Sequence, residues 1–269
     1  MNVKHVFCDV DETLLENLQP VPKTNIRALK KLREASKRFT LTSGRNPGVI
    51  YDVMKECAIP HTDDEYVICC GGALIITATG KTVFEDPLSK DDFISLITYL
   101  KDTSYDMPSF VDREYYHILR TRVEPLFNQW SHDALSYDEA LQYIETHRPY
   151  KFIIRGEAED LKRMAAHCEM ITGGNIVNEL SHAEIIDLMN RTVSKGNAMR
   201  KVCEMTGTHL SQTLAIGDND NDLSLLEAAA FKACPANAVD SVKRIADYIS
   251  PFSCGKGAVA DIIERFVLR

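Results

Sequence analysis

The chain has 269 residues, 45% of them hydrophobic and 26% charged, with a formal net charge of -8. That is ordinary globular composition, with length for one large or two medium domains. The acidic balance excludes a general affinity for nucleic acid or anionic membrane, yet leaves room for a small anionic substrate in a local cationic pocket. No apolar run is long enough to span a bilayer, and the start lacks a basic segment followed by a long apolar one, so the expected location is cytoplasmic. Eight cysteines, none in C-x-x-C spacing, read as reduced and mostly buried thiols. Cys69 and Cys70 are neighbours on a predicted strand and point to opposite faces, so they make no shared site.

Residues 3–7 form an apolar run that predicts a first strand, leading into Asp9-Val10-Asp11-Glu12-Thr13. A loop with Pro20 and Pro22 follows. Thr24 is the expected cap of a helix carrying Ile26, Leu29 and Leu32 at helical spacing. Residues 39–42 predict a second strand, ending in Ser43-Gly44-Arg45, and 48–57 a helix. Residues 66–70 predict a third strand, then Gly71-Gly72 and a hairpin turning at Thr79-Gly80. Strand, helix, strand, helix, strand is the pattern of a parallel sheet being wound.

The texture changes near Asp86-Pro87. Ser89 with Asp92, and Ser136 with Glu139, predict capped helices over 90–101 and 137–147. Strands are expected at 110–111, 115–119 and 150–154, a helix over 158–168, and strands at 170–172, 176–180 and 183–189, interrupted by Gly173-Gly174. This middle region holds the only tryptophan, Trp130, and reads as an α+β unit inserted into the first domain. From Ser194 the first texture returns: a helix over 195–206, a strand over 213–216 running into Gly217-Asp218-Asn219-Asp220-Asn221-Asp222, and further short elements to a last helix over 259–266.

Three polar clusters follow predicted strands and a fourth, Ser194-Lys195-Gly196, opens a helix. The C-terminal strand ends of a parallel sheet share one edge, so these groups converge on one crevice. Two carboxylates one residue apart, Asp9 and Asp11, repel each other unless a cation sits between them, and a hard divalent ion such as Mg2+ is the natural resident. Read alone, that stretch also fits an Asx-type turn, Thr42-Ser43-Gly44 fits a turn and helix entry, and Lys195 fits a solvated helix start. A lysine in a first helical turn opposes the helix dipole, which hints at another purpose. A calcium loop counted from Asp218 would need glycine sixth and glutamate twelfth, where Leu223 and Ala229 stand. Carboxylates for Mg2+, hydroxyls, backbone N–H groups and an ammonium together describe phosphoryl transfer.

In this order the four clusters resemble the motifs of the haloacid dehalogenase superfamily of phosphohydrolases: D-x-D-x-T, a Ser/Thr motif, a lysine, and G-D-x-x-N-D. Val193-Ser194-Lys195-Gly196-Asn197-Ala198 resembles the Cof-like subfamily, and the insertion resembles its type IIB cap. The resemblance implies an α/β fold: a Rossmann-like three-layer parallel-sheet core over 1–85 and 190–269, with an inserted α+β cap domain over 86–189 acting as a lid that reads the substrate, and a hinge within 188–193. It implies a Mg2+-dependent phosphatase acting on a small phosphorylated metabolite, a sugar phosphate or cofactor phosphate, through an aspartyl-phosphate. Asp9 is the implied nucleophile and Asp11 the general acid and base. Asp9, the Asp11 carbonyl and Asp218 are the implied metal ligands, with Asp222 in the outer shell. Thr42 or Ser43 is the implied phosphoryl-binding hydroxyl, Thr42 being favoured as the motif residue with Ser43 and Gly44 adding backbone donors; Lys195 neutralises the transition state, and Asn221 holds phosphate or Lys195. Thr13 is expected only to hold its turn. Arg45 and Asn190, and further out Arg113 and Tyr115, are candidate substrate contacts, the last two also fitting a solvated surface. Where relatives carry Asn-Gly-Ala, this chain has Gly71-Gly72-Ala73, so one polar side chain near the substrate is missing. The eight histidines show no metal-ligand spacing. No nucleic-acid or membrane partner is expected, and the chain is expected to be a monomer or small homo-oligomer. A phosphomutase or phosphotransferase of the same fold, and a ligand-binding regulator, are the alternatives.

Overall fold

A computed structural model describes residues 2–17, 19–101, 103, 106–119, 131–182 and 184–268. Trp130 lies outside the described residues. The chain divides into two compact units, Met1–Phe84 with Ser194–Arg269, and Glu85–Val193.

The first unit is built on β1 (His5–Asp9), α1 (Lys23–Glu34), β2 (Arg38–Thr42), α2 (Pro47–Glu56), β3 (Tyr66–Cys69), β4 (Leu74–Thr77) and β5 (Thr82–Glu85). Every residue of β1 is buried, as a strand covered on both faces requires. Helix α1 starts directly after Pro22, and no side chain caps it; Thr24 lies inside the helix, so the expected cap is not one. Its buried face is Asn25, Ala28, Leu29 and Leu32. The polar Asn25 is satisfied there, because its amide donates to the Leu14 carbonyl at 2.8 Å and accepts from the Ala260 N–H at 2.9 Å. Those two bonds fix the loop after β1 to two helices.

The second unit holds α3 (Lys90–Lys101), β6 (Asp106–Val111), β7 (Tyr116–Leu119), β8 (Ser131–Leu135), α4 (Tyr137–Tyr143), β9 (Lys151–Arg155), α5 (Ala158–Ile171), β10 (Ile176–His182) and β11 (Ile185–Asn190). Its strands form their own sheet in the order β10-β11-β9-β6-β7-β8. Phe93, Phe110 and Phe152 centre its core, with ring centroids 5.1 Å and 4.8 Å from Phe93. Ser136 and Glu139 form the expected reciprocal cap of α4. The strand expected at 170–172 is instead the last turn of α5, because Cys168 continues the buried stripe of Leu161, Met164 and Ala165 while Met170 faces out. Strand β8 carries no alternating apolar signal in its sequence and is not among the expected strands.

The chain returns to the first unit with α6 (Lys195–Thr206), β12 (Thr213–Ile216), α7 (Leu223–Ala228), β13 (Phe231–Cys234), α8 (Asp240–Ile245), β14 (Tyr248–Ile249) and α9 (Ala258–Phe266). The eight-stranded sheet runs β14-β13-β12-β1-β2-β3-β4-β5. All pairings from β14 to β3 are parallel, and β4 pairs antiparallel with β3. On one face Phe7, Ile68 and Ala215 pack with Ala198, Met199 and Val202 of α6 and Leu225 and Leu226 of α7. On the other, α1 packs against β2 and α9. Helix α6 buries Met199 and Cys203, whereas Met205 is 40% exposed. The first strand thus sits between β12 and β2, where the chain's progress reverses, and parallel α/β sheets form their crevice at that point.

Candidate active site

Asp9 ends β1, and in the parallel ladder its partner on β2 is Thr42. On the other side β1 pairs with β12, whose continuation carries Asp218 and Asp222. Neighbouring strands lie about 4.8 Å apart, so these ends are brought to one edge by hydrogen-bonding geometry alone. Helix α6 delivers the cation. Ser194 caps it, accepting from the Asn197 N–H at 3.0 Å, which leaves Lys195 in the first turn. Gly196 lies so close to α7 that a Cβ there would stand 2.2 Å from the Ser224 carbonyl oxygen. A Cβ on Gly72 would stand 2.4 Å from the Ser194 carbonyl oxygen, and Gly71 before it has φ 69, a conformation open to glycine and asparagine alike.

Lys195 is 1% exposed, and its Nζ donates to Asp9 Oδ1 and to Asp222 Oδ1, both at 2.6 Å. The other oxygen of Asp222 accepts the backbone N–H of Asp218 at 2.9 Å and of Asn219 at 3.3 Å. Asp222 therefore has both oxygens engaged by the protein. Asp218 accepts from the Thr13 hydroxyl at 2.6 Å, a contact across 205 positions of sequence. Asp9, Asp218 and Asp222 are all buried, and each offers a carboxylate oxygen within 4.8 Å of the others.

Three buried carboxylates outnumber one ammonium. Burial first, and then the neighbouring Asp222, push the Asp9 carboxyl well above the usual carboxylate range. The same two causes push Asp218 up to about 7, against the pull of the Thr13 hydrogen bond and Lys195. Burial disfavours the Lys195 ammonium, but Asp222 and Asp9 outweigh it and the group is held charged above its ordinary value. The cluster has room for more positive charge and supplies only hard oxygen donors, which is what a dication such as Mg2+ requires.

The structure separates several expected roles. Asp11 stands beside this cluster in sequence but pairs elsewhere: Arg45 Nε donates to its Oδ2 at 2.9 Å and a terminal nitrogen of Arg45 to its Oδ1 at 2.5 Å. Arg45, expected to meet substrate, thus holds both Asp11 oxygens in a fork. Ser43 was expected to add a backbone donor, but its N–H already donates to the Ile68 carbonyl at 2.9 Å, continuing the ladder from β2 to β3. What Ser43 has left is its hydroxyl, which accepts from the Arg45 N–H at 3.1 Å. Thr42 Oγ1 is buried with no hydrogen-bond partner among the described residues, a hydroxyl beside Asp9 in the ladder. Gly44 is half-buried in the turn between. Asn221 is half-buried and shares no hydrogen bond with Lys195 among the described residues; Asp9 and Asp222 hold the lysine in its place.

The remaining candidates lie in the second unit. The Asn190 amide donates to Asp86 Oδ1 at 2.9 Å, and its oxygen accepts from Thr192. Arg113 and Tyr115 occupy the hairpin turn between β6 and β7, whose N–H groups at Glu114 and Tyr115 donate to Asp112 Oδ1 at 2.7 Å each. Sequence reasoning assigns no role to Asp112, although it anchors a buried network with His117 and Tyr143. Thr13 was expected only to hold its turn; the D-x-D-x-T spacing was the available signal for its reach to Asp218.

Comparison with known proteins matches residues 6–263 to the haloacid dehalogenase-like hydrolase family. The pyridoxal phosphate phosphatase YbhA of Escherichia coli is 27% identical over 266 residues, covering 93% of each chain. Among solved structures, a haloacid dehalogenase-like hydrolase from B. subtilis superposes with a TM-score of 0.86 at 20% identity, over 98% of this chain and 100% of that one. The subclass IIB sugar phosphatase BT4131 gives 0.84 at 17% identity, over 99% and 100%. The two structures share the fold, and the family match spans nearly the whole chain, from the first strand to the last helix. On that match, and with its acids, its lysine and its hydroxyls gathered at one sheet edge, the chain belongs to the haloacid dehalogenase-like hydrolases.

Proposed function

We propose that this protein is a Mg2+-dependent phosphatase that hydrolyses a small phosphorylated metabolite through an aspartyl-phosphate on Asp9. The observation that carries the reading is the buried Lys195 bridging Asp9 and Asp222 at 2.6 Å, with Asp218 completing an all-oxygen acid cluster. Asp9, Asp218 and the backbone carbonyl of Asp11 would hold the cation, and Asp222 would support it from behind. When bound, Mg2+ lowers the repulsion between Asp9 and an incoming phosphoryl group. An Asp9 oxygen bonds to phosphorus as the ester P–O bond breaks, and Asp11 gives its proton to the departing oxygen. Water then attacks the acyl phosphate, Asp11 takes the water's proton, and inorganic phosphate leaves with Asp9 restored. Lys195 neutralises charge on the transferring group, Thr42 offers it an otherwise unpartnered hydroxyl, and Arg45 orients the Asp11 carboxylate.

Sugar phosphates and cofactor phosphates are the substrate class, and the choice among them is assigned to the inserted segment, 86–189. The E. coli relative named for pyridoxal phosphate supports including cofactor phosphates. A panel of phosphorylated metabolites, assayed for free phosphate with Mg2+ or with excess EDTA, tests the reading. The expected result is Mg2+-dependent release that EDTA abolishes and that Asp9→Asn lowers by about a thousandfold or more. No release above the Asp9→Asn background on any ester would overturn it. An isomerised ester without free phosphate would replace it with the mutase.

A further inference from the structure

Glu12, which follows Asp11, has φ 58, the left-handed region that a non-glycine residue occupies only when its surroundings impose it. Two side chains, those of Asn237 and of Glu12 itself, hydrogen-bond across this turn. The Asn237 amide donates from Nδ2 to the Glu12 carbonyl oxygen at 2.7 Å, and its Oδ1 accepts the Cys254 N–H at 2.9 Å. A carbonyl can only accept and a backbone N–H can only donate, so these partners fix which way the amide points. The Glu12 carboxylate accepts the Asn17 N–H at 2.9 Å, which braces the same turn.

The short segment that carries Asn237 also grips the other half of the acid cluster. Two residues on, the Val239 N–H donates to the Asp218 carbonyl oxygen at 2.9 Å. One residue before, the Ala236 N–H donates to the Phe252 carbonyl oxygen at 2.9 Å. Residues 236–239 therefore form a strut with one end on the turn that follows Asp9 and Asp11 and the other on the loop that carries Asp218. Asn237 is itself exposed, so its amide serves these bonds and not the packing of a core.

We propose that Asn237 is a positioning residue: it sets the Asp9–Asp11 turn against the Asp218 loop, and so sets the spacing of the oxygens offered to the metal. This rests on the phosphatase reading for its consequence in turnover, but its direct readouts are independent of catalysis. The Leu14 and Leu15 N–H groups, both bonded to the Val10 carbonyl oxygen, report the integrity of the turn. In metal-free full-length protein, Asn237→Ala is expected to speed amide exchange across 11–15 by about tenfold and to leave exchange in β12 and β13 unchanged. Calorimetric titration with Mg2+ is expected to give about tenfold weaker binding than wild type, with a lower kcat at saturating metal and little change in KM for the ester. A residue that merely stabilises the fold would lower the melting temperature and move neither the local exchange nor the Mg2+ affinity. Wild-type exchange at 11–15 together with wild-type Mg2+ affinity in Asn237→Ala would overturn the assignment. Should that variant fail to fold, Asn237→Gln keeps both hydrogen-bonding groups one methylene too far out and is judged by the same two measurements. If wild-type protein hydrolyses no ester, the phosphatase reading falls, while the exchange comparison still decides the role of Asn237.

Discussion

At the scale of single residues, burial decides what each charge is worth. Carrying an ammonium such as that of Lys195 out of water costs several kcal/mol, and here two carboxylates at 2.6 Å offset it. The third acid is left over, and burial, followed by the neighbouring Asp222, raises Asp218 to about 7. A group raised this far is half-protonated near neutral pH, so a metal that needs its ionised form must displace the proton. Mg2+ binding should therefore release protons around pH 7, and the Mg2+ dissociation constant should rise as pH falls, by about tenfold per unit for each proton displaced. Titration calorimetry at pH 6, 7 and 8 in two buffers of different ionisation heat checks this; a constant affinity with no proton release would count against Asp218 as a ligand. The acid pair, the lysine and the hydroxyls were legible from residue type and order. The partners were not. Arg45 reads in sequence as a free cation for substrate, yet it closes on Asp11, and Thr13 reads as a turn residue, yet it reaches Asp218. Both contacts depend on side-chain direction at the end of a strand, which no sequence period carries.

At the scale of elements, α6 shows how packing and chemistry share one helix. Glycine inside a helix is usually unfavourable relative to alanine by about 0.5–1 kcal/mol, so Gly196→Ala would ordinarily stabilise. Here the added Cβ would meet the Ser224 carbonyl oxygen of α7 at 2.2 Å. The expected outcome is the opposite sign, a loss of about 1–3 kcal/mol in urea unfolding, with reduced turnover because the first turn that aims Lys195 is displaced. A neutral or stabilised variant would show that α6 and α7 yield without cost. The helices and strands that bear the site were readable because their signals are local: apolar runs in β1 and β12, and Ser194 capping α6. Expectation and structure part where local signals are weak. Residues 170–172 look strand-like but extend α5, since the buried stripe ending at Cys168 still faces the core there. Strand β8 exists through its pairing with β7 and not through any pattern of its own.

At the scale of the whole molecule, the sheet that aligns the acids also encloses a histidine. His5 is 1% exposed, stacked on Phe7 and hydrogen-bonded to the Thr40 hydroxyl at 2.9 Å. Burial first, and then Arg38, lower its pKa to about 3. In the unfolded chain it would titrate near 6.5, so between those values the unfolded state binds a proton that the folded state does not. Its contribution is complete above about pH 6.5 and is lost as pH falls toward 3, by about 1.4 kcal/mol per unit. Urea unfolding at pH 6.5 and 4.5 should show wild type losing roughly 2 kcal/mol more than His5→Gln over that interval; equal losses would mean that His5 takes up a proton in the folded state. No helix among the described residues is long and apolar enough to cross a membrane. The sequence by itself determined the fold class, an α/β core with a second α+β unit, because alternating strand and helix patterns admit few topologies. It also determined the chemical kinds of group at the strand ends. Only the tertiary structure decided which of those groups meet. Placing β1 between β12 and β2 joins Lys195 to Asp9 across 186 positions and Thr13 to Asp218 across 205. Strand order and the reach of side chains set those distances, and both are fixed only when the sheet closes around its core.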